Sequence, residues 1–145
     1  MRDPKAVFRR IASLRKCGIR FAIDDFGAGY SNLATLARLP VDTLKIDRSL
    51  ITNVAKDREK QTIVRITLSL AKQFGFQTVA EGVETAEDLH FLSGEGTTMI
   101  QGFYFSPALP YEEIAAVLQP RRLGAIAKKL HNVALFQVRR LATSN

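Results

Sequence analysis

Asp24 and Asp25 stand together at the end of a largely apolar strand-like segment, Ile19 to Ile23, and just ahead of Gly27 and Gly29. Adjacent carboxylates on a continuing strand point to opposite faces. A turn after Asp24 swings Asp25 back toward the same centre, and the two glycines permit such a turn. So placed, the pair offers hard oxygen donors suited to Mg²⁺ or Mn²⁺ rather than zinc, since Cys17, His90 and His131 fall outside the strand-end cluster. The plainer reading is that both aspartates cap the loop and helix that follow. Lys45 and Asp47 end the next strand, and Glu81 ends the one after it. An ammonium at Lys45 can offset the carboxylates, orient a water or hold a phosphate oxygen. It can equally serve as a salt bridge closing a barrel mouth. Glu81 and Glu84 flank Gly82-Val83 in a strand-end turn. Glu81, still on its strand, is the better chemical candidate, and Glu84 can accept backbone N–H groups and shape the loop. Gln101, before Gly102, both donates and accepts, which suits holding a substrate group or a neighbouring carboxylate.

These side chains reach one rim only if the elements beneath them form a parallel sheet. Asp3 as cap, Pro4, and Val7, Ile11 and Leu14 at helical spacing predict a first helix, stopped by Gly18. The lone Cys17 then reads as a small core residue on the helix's apolar side. Residues 19–24 alternate as a strand, with Ile19, Phe21 and Ile23 on one face. A short helix from Asn32 to Arg38 stops before Pro40. Thr43 to Asp47 forms the second strand, with Leu44 and Ile46 facing the helices. Ile63, Ile66, Thr67, Leu70 and Phe74 mark a long helix closed by Gly75, and residues 76–81 form the third strand. Thr85 with Asp88 reads as a capping box for a helix to about Leu92. A weaker strand signal runs from Thr98 to Phe105, and Pro110 opens a helix through Leu118. Four βα units follow, with Asp24, Lys45, Asp47 and Glu81 at the strand ends where α/β sheets place their chemistry.

Charge divides the chain in two. Of its net charge of +7, residues 1–120 carry 15 Lys/Arg against 14 acidic residues. The remaining excess lies in residues 121–145, as Arg121, Arg122, Lys128, Lys129, Arg139 and Arg140. The main domain, residues 1–120, is therefore close to neutral, and only the tail invites an argument for polyanions. The tail reads as a basic amphipathic helix that covers a barrel face or as a partly disordered end, or else as a segment that lies on an anionic membrane or nucleic acid. One cysteine excludes an internal disulfide, and the N-terminus shows no leader-like apolar stretch, so a cytoplasmic location is expected.

Four ordered segments resemble the signatures of EAL domains: Asp24-Asp25-Phe26-Gly27-Ala28-Gly29-Tyr30-Ser31, Leu44-Lys45-Ile46-Asp47-Arg48, Ala80-Glu81-Gly82-Val83-Glu84-Thr85 and Gln101-Gly102-Phe103-Tyr104-Phe105-Ser106. The resemblance runs from about residue 4 to 118 and covers the second half of the family's domain. It implies about half of a (β/α)₈ TIM-like barrel, and hydrolysis of the bacterial messenger cyclic di-GMP to linear pGpG at a two-metal Mg²⁺ or Mn²⁺ site. Carried over, Asp24 and Asp25 would be metal ligands, Lys45 would contact the attacking water or the scissile phosphate, and Glu81 would be a ligand or general base. Glu84 would stabilise the loop that Asp25 to Ser31 form, and Gln101 would support the site, with Asp47, Gly27, Gly29, Tyr30 and Ser31 shaping loop and substrate contacts. The family's Glu-Ala/Val-Leu motif, and the Asn and Glu of its third and fourth strands, do not occur here. Metal affinity should fall accordingly, because hard cations take six or so oxygen ligands. Two expectations follow. Either the chain is part of a phosphodiesterase that needs the missing barrel half, or it is an inactive remnant serving as an interaction module, pairing with a second copy through its open sheet edges.

Overall fold

In the computed structural model, which describes residues 4–29 and 36–117, the alternating periodicities resolve into one four-stranded parallel sheet. Strands β1 (Ala22–Phe26), β2 (Thr43–Ile46), β3 (Gln77–Ala80) and β4 (Met99–Ile100) lie side by side in chain order. Helix α1 (Pro4–Lys16) precedes β1. Helix α2 (Arg48–Ile51), a 3-10 turn (Val54–Lys56) and α3 (Arg58–Phe74) join β2 to β3. Helix α4 (Ala86–Gly94) joins β3 to β4, and α5 (Tyr111–Val117) follows.

Strand alternation decides which face is covered. Leu44 and Ile46 of β2 and Thr78 and Ala80 of β3 are buried, whereas Lys45 and Val79 between them are only half-buried. The covered face meets Ile51, Val54, Val64, Leu68, Leu89 and Leu92, so α2, α3 and α4 share one core with Ile46 and Ala80. Complete burial of such side chains contributes about 1.5–3 kcal/mol each before entropy is counted. Sequential parallel strands with helices packed on one face make this sheet about half of a TIM-like barrel, and its opposite face is the inner one.

Local chemistry sets the helix limits. Asp57 caps α3 by accepting from the N–H groups of Glu59 and Lys60, and Gly75, at φ +73°, closes it in the left-handed conformation. Thr85 caps α4 by accepting from the Asp88 N–H, as expected of the capping box. Asp88 is itself buried, and it receives the Thr85 hydroxyl at 2.7 Å and the Ala55 N–H at 2.9 Å, tying α4 to the 3-10 turn.

Several elements differ from the sequence expectations. β1 starts at Ala22 rather than Ile19, because the Phe21 N–H is taken by the Asp42 carboxylate and the Phe21 carbonyl accepts from both Asp42 and Thr43. Ile19 is consequently exposed. Cys17 is exposed rather than in the core, since α1 ends at Lys16 and Cys17 sits in the turn beyond it. β4 is two residues long because the chain turns at Gly102, with Tyr104 N–H donating to the Val83 carbonyl and Phe105 N–H to that of Gly102. α3 begins at Arg58, and its buried stripe is Val64, Thr67, Leu68 and Ala71, while Ile63, Ile66 and Phe74 stay exposed. α2 and the 3-10 turn were not foreseen in the sequence. Most of the helix expected over 32–38, Asp3, Leu118 and the tail 121–145 lie outside the described residues.

Candidate active site

The acidic pair is brought to one centre by an irregularity in β1. Ile23 pairs with Leu44 and Phe26 with Ile46, so Asp24 and Asp25 together oppose the single residue Lys45. This is a β-bulge, which bends a strand and re-aims its side chains. Asp25 takes φ +50°, a left-handed conformation that costs a non-glycine residue on the order of 1 kcal/mol and that Asp tolerates better than most. Gly27 then adopts φ +105° against Leu50, where a Cβ would collide with the leucine side chain. A Cβ at Gly29 would meet nothing.

Lys45 and Val79 are register partners on the inner face, and Glu81 is next on that face of the β3 end. The Lys45 ammonium extends past Val79 to lie 2.6 Å from Asp24 Oδ1 and 2.6 Å from Glu81 Oε1. Hydrogen bonds to Asp24 and then Glu81 raise the lysine pKa well above its ordinary value, outweighing partial burial. The Lys45 hydrogen bond lowers that of Asp24. Glu81 is the more enclosed carboxylate at 18% exposure, against 64% for Asp24. One carboxylate oxygen from each of Asp24, Asp25 and Glu81 lies within 4.8 Å of the other two.

This donor set, three carboxylates with oxygen atoms converging and partly open to solvent, fits a hard divalent cation. The adjacent ammonium keeps the cluster from being a bare concentration of negative charge.

The remaining candidates are placed differently. Asp47 caps α2, accepting from the Ser49 N–H at 2.8 Å, and hydrogen bonding from the Ser49 side chain and then from this N–H lowers its pKa. Glu84 pairs with Arg48 at 2.8 Å. Gln101 continues the ladder through its backbone, donating to Ala80 and receiving from Val83, with its side chain exposed. Tyr30 and Ser31 lie outside the described residues. Arg48 had no role assigned from sequence, although it follows Asp47 by one residue, where a capping aspartate signals a helix start.

A half-barrel with carboxylates and a lysine at the C-terminal strand ends places the chain among α/β-barrel proteins with an acidic cluster at the strand-end rim. The family is that of the EAL domain, whose model matches residues 1–108, and the chain belongs to it. Among its relatives is the cyclic di-GMP phosphodiesterase NbdA of Pseudomonas aeruginosa, 40% identical over 112 residues, which are 77% of this chain and 14% of NbdA. The EAL domain of Mycobacterium smegmatis DcpA superposes with a TM-score of 0.76 at 41% identity, covering 81% of this chain and 53% of that one. The c-di-GMP-bound form of a standalone EAL protein from Vibrio cholerae O395 gives a TM-score of 0.65 at 36% identity, covering 70% of this chain and 43% of that one. The chain thus spans about half of these solved structures and a smaller part of the curated relative.

Proposed function

We propose that this chain supplies the C-terminal half of a metal-dependent cyclic di-GMP phosphodiesterase site, and that the half-barrel preceding β1 in the family is needed for turnover. The observation that carries this reading is the convergence of Asp24, Asp25 and Glu81 around Lys45. The three carboxylates would hold Mg²⁺ or Mn²⁺, which supplies charge stabilisation to a phosphoryl group and makes water a nucleophile at neutral pH. Lys45 aims Asp24 and Glu81 and presents positive charge toward an anionic phosphodiester. Glu81, fixed by that ammonium, is oriented to accept a proton. Gln101, exposed at the end of β4, offers a donor and an acceptor to the substrate. Tyr30 and Ser31 would complete the loop after β1, Gly27 and Gly29 give it its turn, and Asp47 supports the rim from the start of α2.

Three carboxylates are about half the ligands a hard cation takes. Metal binding by the chain alone should accordingly be weak. The test is to incubate the chain with cyclic di-GMP and Mg²⁺ or Mn²⁺, alone and with the preceding half-barrel of the family, and to separate pGpG by chromatography. Product only when the half-barrel is supplied, abolished by Asp24→Asn, is the expected result. No product in either mixture overturns the proposal.

The open edges favour a second reading, an inactive interaction module of cyclic di-GMP signalling. Among the described residues neither β1 nor β4 is paired on its outer side, and Met99, Phe103 and Tyr111 are exposed. A second copy could then complete eight strands. We place the end of the domain near residue 120, leaving 121–145 as a basic segment for a barrel face, membrane or nucleic acid. No described helix is long and apolar enough to cross a membrane. A cytoplasmic location, where cyclic di-GMP signalling takes place, suits either reading.

A further inference from the structure

We infer that Arg48 is a positioning residue that holds the Glu81–Glu84 loop so that Glu81 meets Lys45 and the metal site. The inference rests on the site reading above. Two cations three residues apart, Lys45 and Arg48, face two carboxylates three residues apart, Glu81 and Glu84, at 2.6 and 2.8 Å. Lys45 is the penultimate residue of β2 and Arg48 begins α2, so one short stretch of chain grips the next strand end twice.

The second grip is more than an ion pair. Gly82, directly after Glu81, takes φ +74°, and the Arg48 stem covers it so closely that a Cβ there would collide with Arg48 Cβ, Cγ and Cδ. The guanidinium then reaches Glu84 Oε1 through Nη2. On the other side the loop is held by backbone, with Val83 N–H donating to the Gln101 carbonyl at 3.1 Å and Tyr104 N–H to that of Val83 at 3.0 Å. Val83 is fully buried between these bonds. Arg48 supplies the lateral support on the β2 side, next to the residue whose carboxylate must not drift. At 61% and 39% exposure the Arg48–Glu84 pair is screened by water and adds little to folding stability. Its effect should therefore appear in the aim of Glu81 and not in the unfolding midpoint.

The test compares the 145-residue chain with Arg48→Ala, Arg48→Lys and Glu84→Gln by three measurements: thermal unfolding, Mn²⁺ affinity, and the NMR signal of the Lys45 ammonium in metal-free protein. Arg48→Ala should unfold at the same temperature as the parent. It should bind Mn²⁺ about 10-fold more weakly, in the range seen when residues supporting metal ligands are removed. It should also lose the slowly exchanging Lys45 signal, and Arg48→Lys, which keeps stem and charge, should restore both. Glu84→Gln opens the pair while leaving the stem over Gly82, and it decides the matter if Arg48→Ala fails to fold. Retention of the Lys45 signal with the pair opened overturns the inference. Should the parent bind no Mn²⁺, the metal-site reading falls, and the Lys45 signal still decides whether Arg48 positions Glu81.

Discussion

Lys45 is the residue on which the rim turns, because its ammonium is paired with both Asp24 and Glu81. Lys45→Met would leave those carboxylates facing each other without a cation. The Asp24 carboxyl should then titrate higher, as followed by carbon NMR, and turnover of the reconstituted enzyme should fall by about 10²–10³-fold, as when one charge-stabilising donor is removed. The sign of the pH dependence follows from the shifts. Asp24 is lowered from the ordinary 3.8, so its pairing stabilises the fold fully above that value and is lost as pH falls through the lowered one. Lys45 is raised, so its share is full below the unfolded lysine value and is lost only as pH rises through the folded one. The gap in unfolding temperature between the parent and Asp24→Asn should accordingly stay open at neutral pH and close in acid. A gap that is the same at every pH would mean that the ion pair is not its origin. Asp24, Lys45 and Glu81 were legible in the sequence because each ends an apolar alternation. The partner of Glu84 was not, since Arg48 reaches it only once β2 and β3 lie side by side, and no spacing rule connects residues 48 and 84.

At the scale of elements, the β3 and β4 ends are welded at one glycine. A Cβ on Gly102 would collide with the Val83 backbone nitrogen and carbonyl, neither of which can move without breaking its hydrogen bond. Gly102→Ala should therefore cost about 1–3 kcal/mol in a urea titration, the range for overpacking a close contact. Gly94 gives the contrast. It ends α4 with open space where a Cβ would stand, so Gly94→Ala should be neutral or stabilise by up to about 1 kcal/mol. Helix periodicity and capping chemistry were enough to foresee α1, α3 and α4. The truncation of β4 was hidden because residues 102–105 carry the aromatic composition of a strand while tight backbone packing at Gly102 turns them. The row that revealed α3 in the sequence also shares only Thr67 with its buried row. The helix carries two such rows, and only contact with the sheet selects one.

For the whole molecule, a parallel sheet ordinarily has both faces covered, yet among the described residues helices cover one and the inner face carries Lys45 and Val79 half-exposed. Light scattering of the isolated chain at micromolar concentration tests the self-pairing reading, which predicts a dimer; a well-folded monomer counts against it. Adding the preceding half-barrel should convert either species into a one-to-one complex if the phosphodiesterase reading holds.

The bulge in β1 also makes counting as important as chemistry at this site. Strand side chains have a period of two, so the extra residue reverses the in-and-out phase of everything that follows it. Asp25→Asn removes a charge and keeps the phase, with a residue that tolerates a left-handed backbone. Asp25→Val removes the same charge but cannot hold φ +50° without strain, and in regular pairing Phe26, three places after Ile23, would turn from Leu36, Leu44 and Ala71 toward the opposite face. Two exchanges that delete the same carboxylate should thus differ, Asp25→Asn disarming the site and Asp25→Val also destabilising the strand, a difference readable in circular dichroism melts of the two variants.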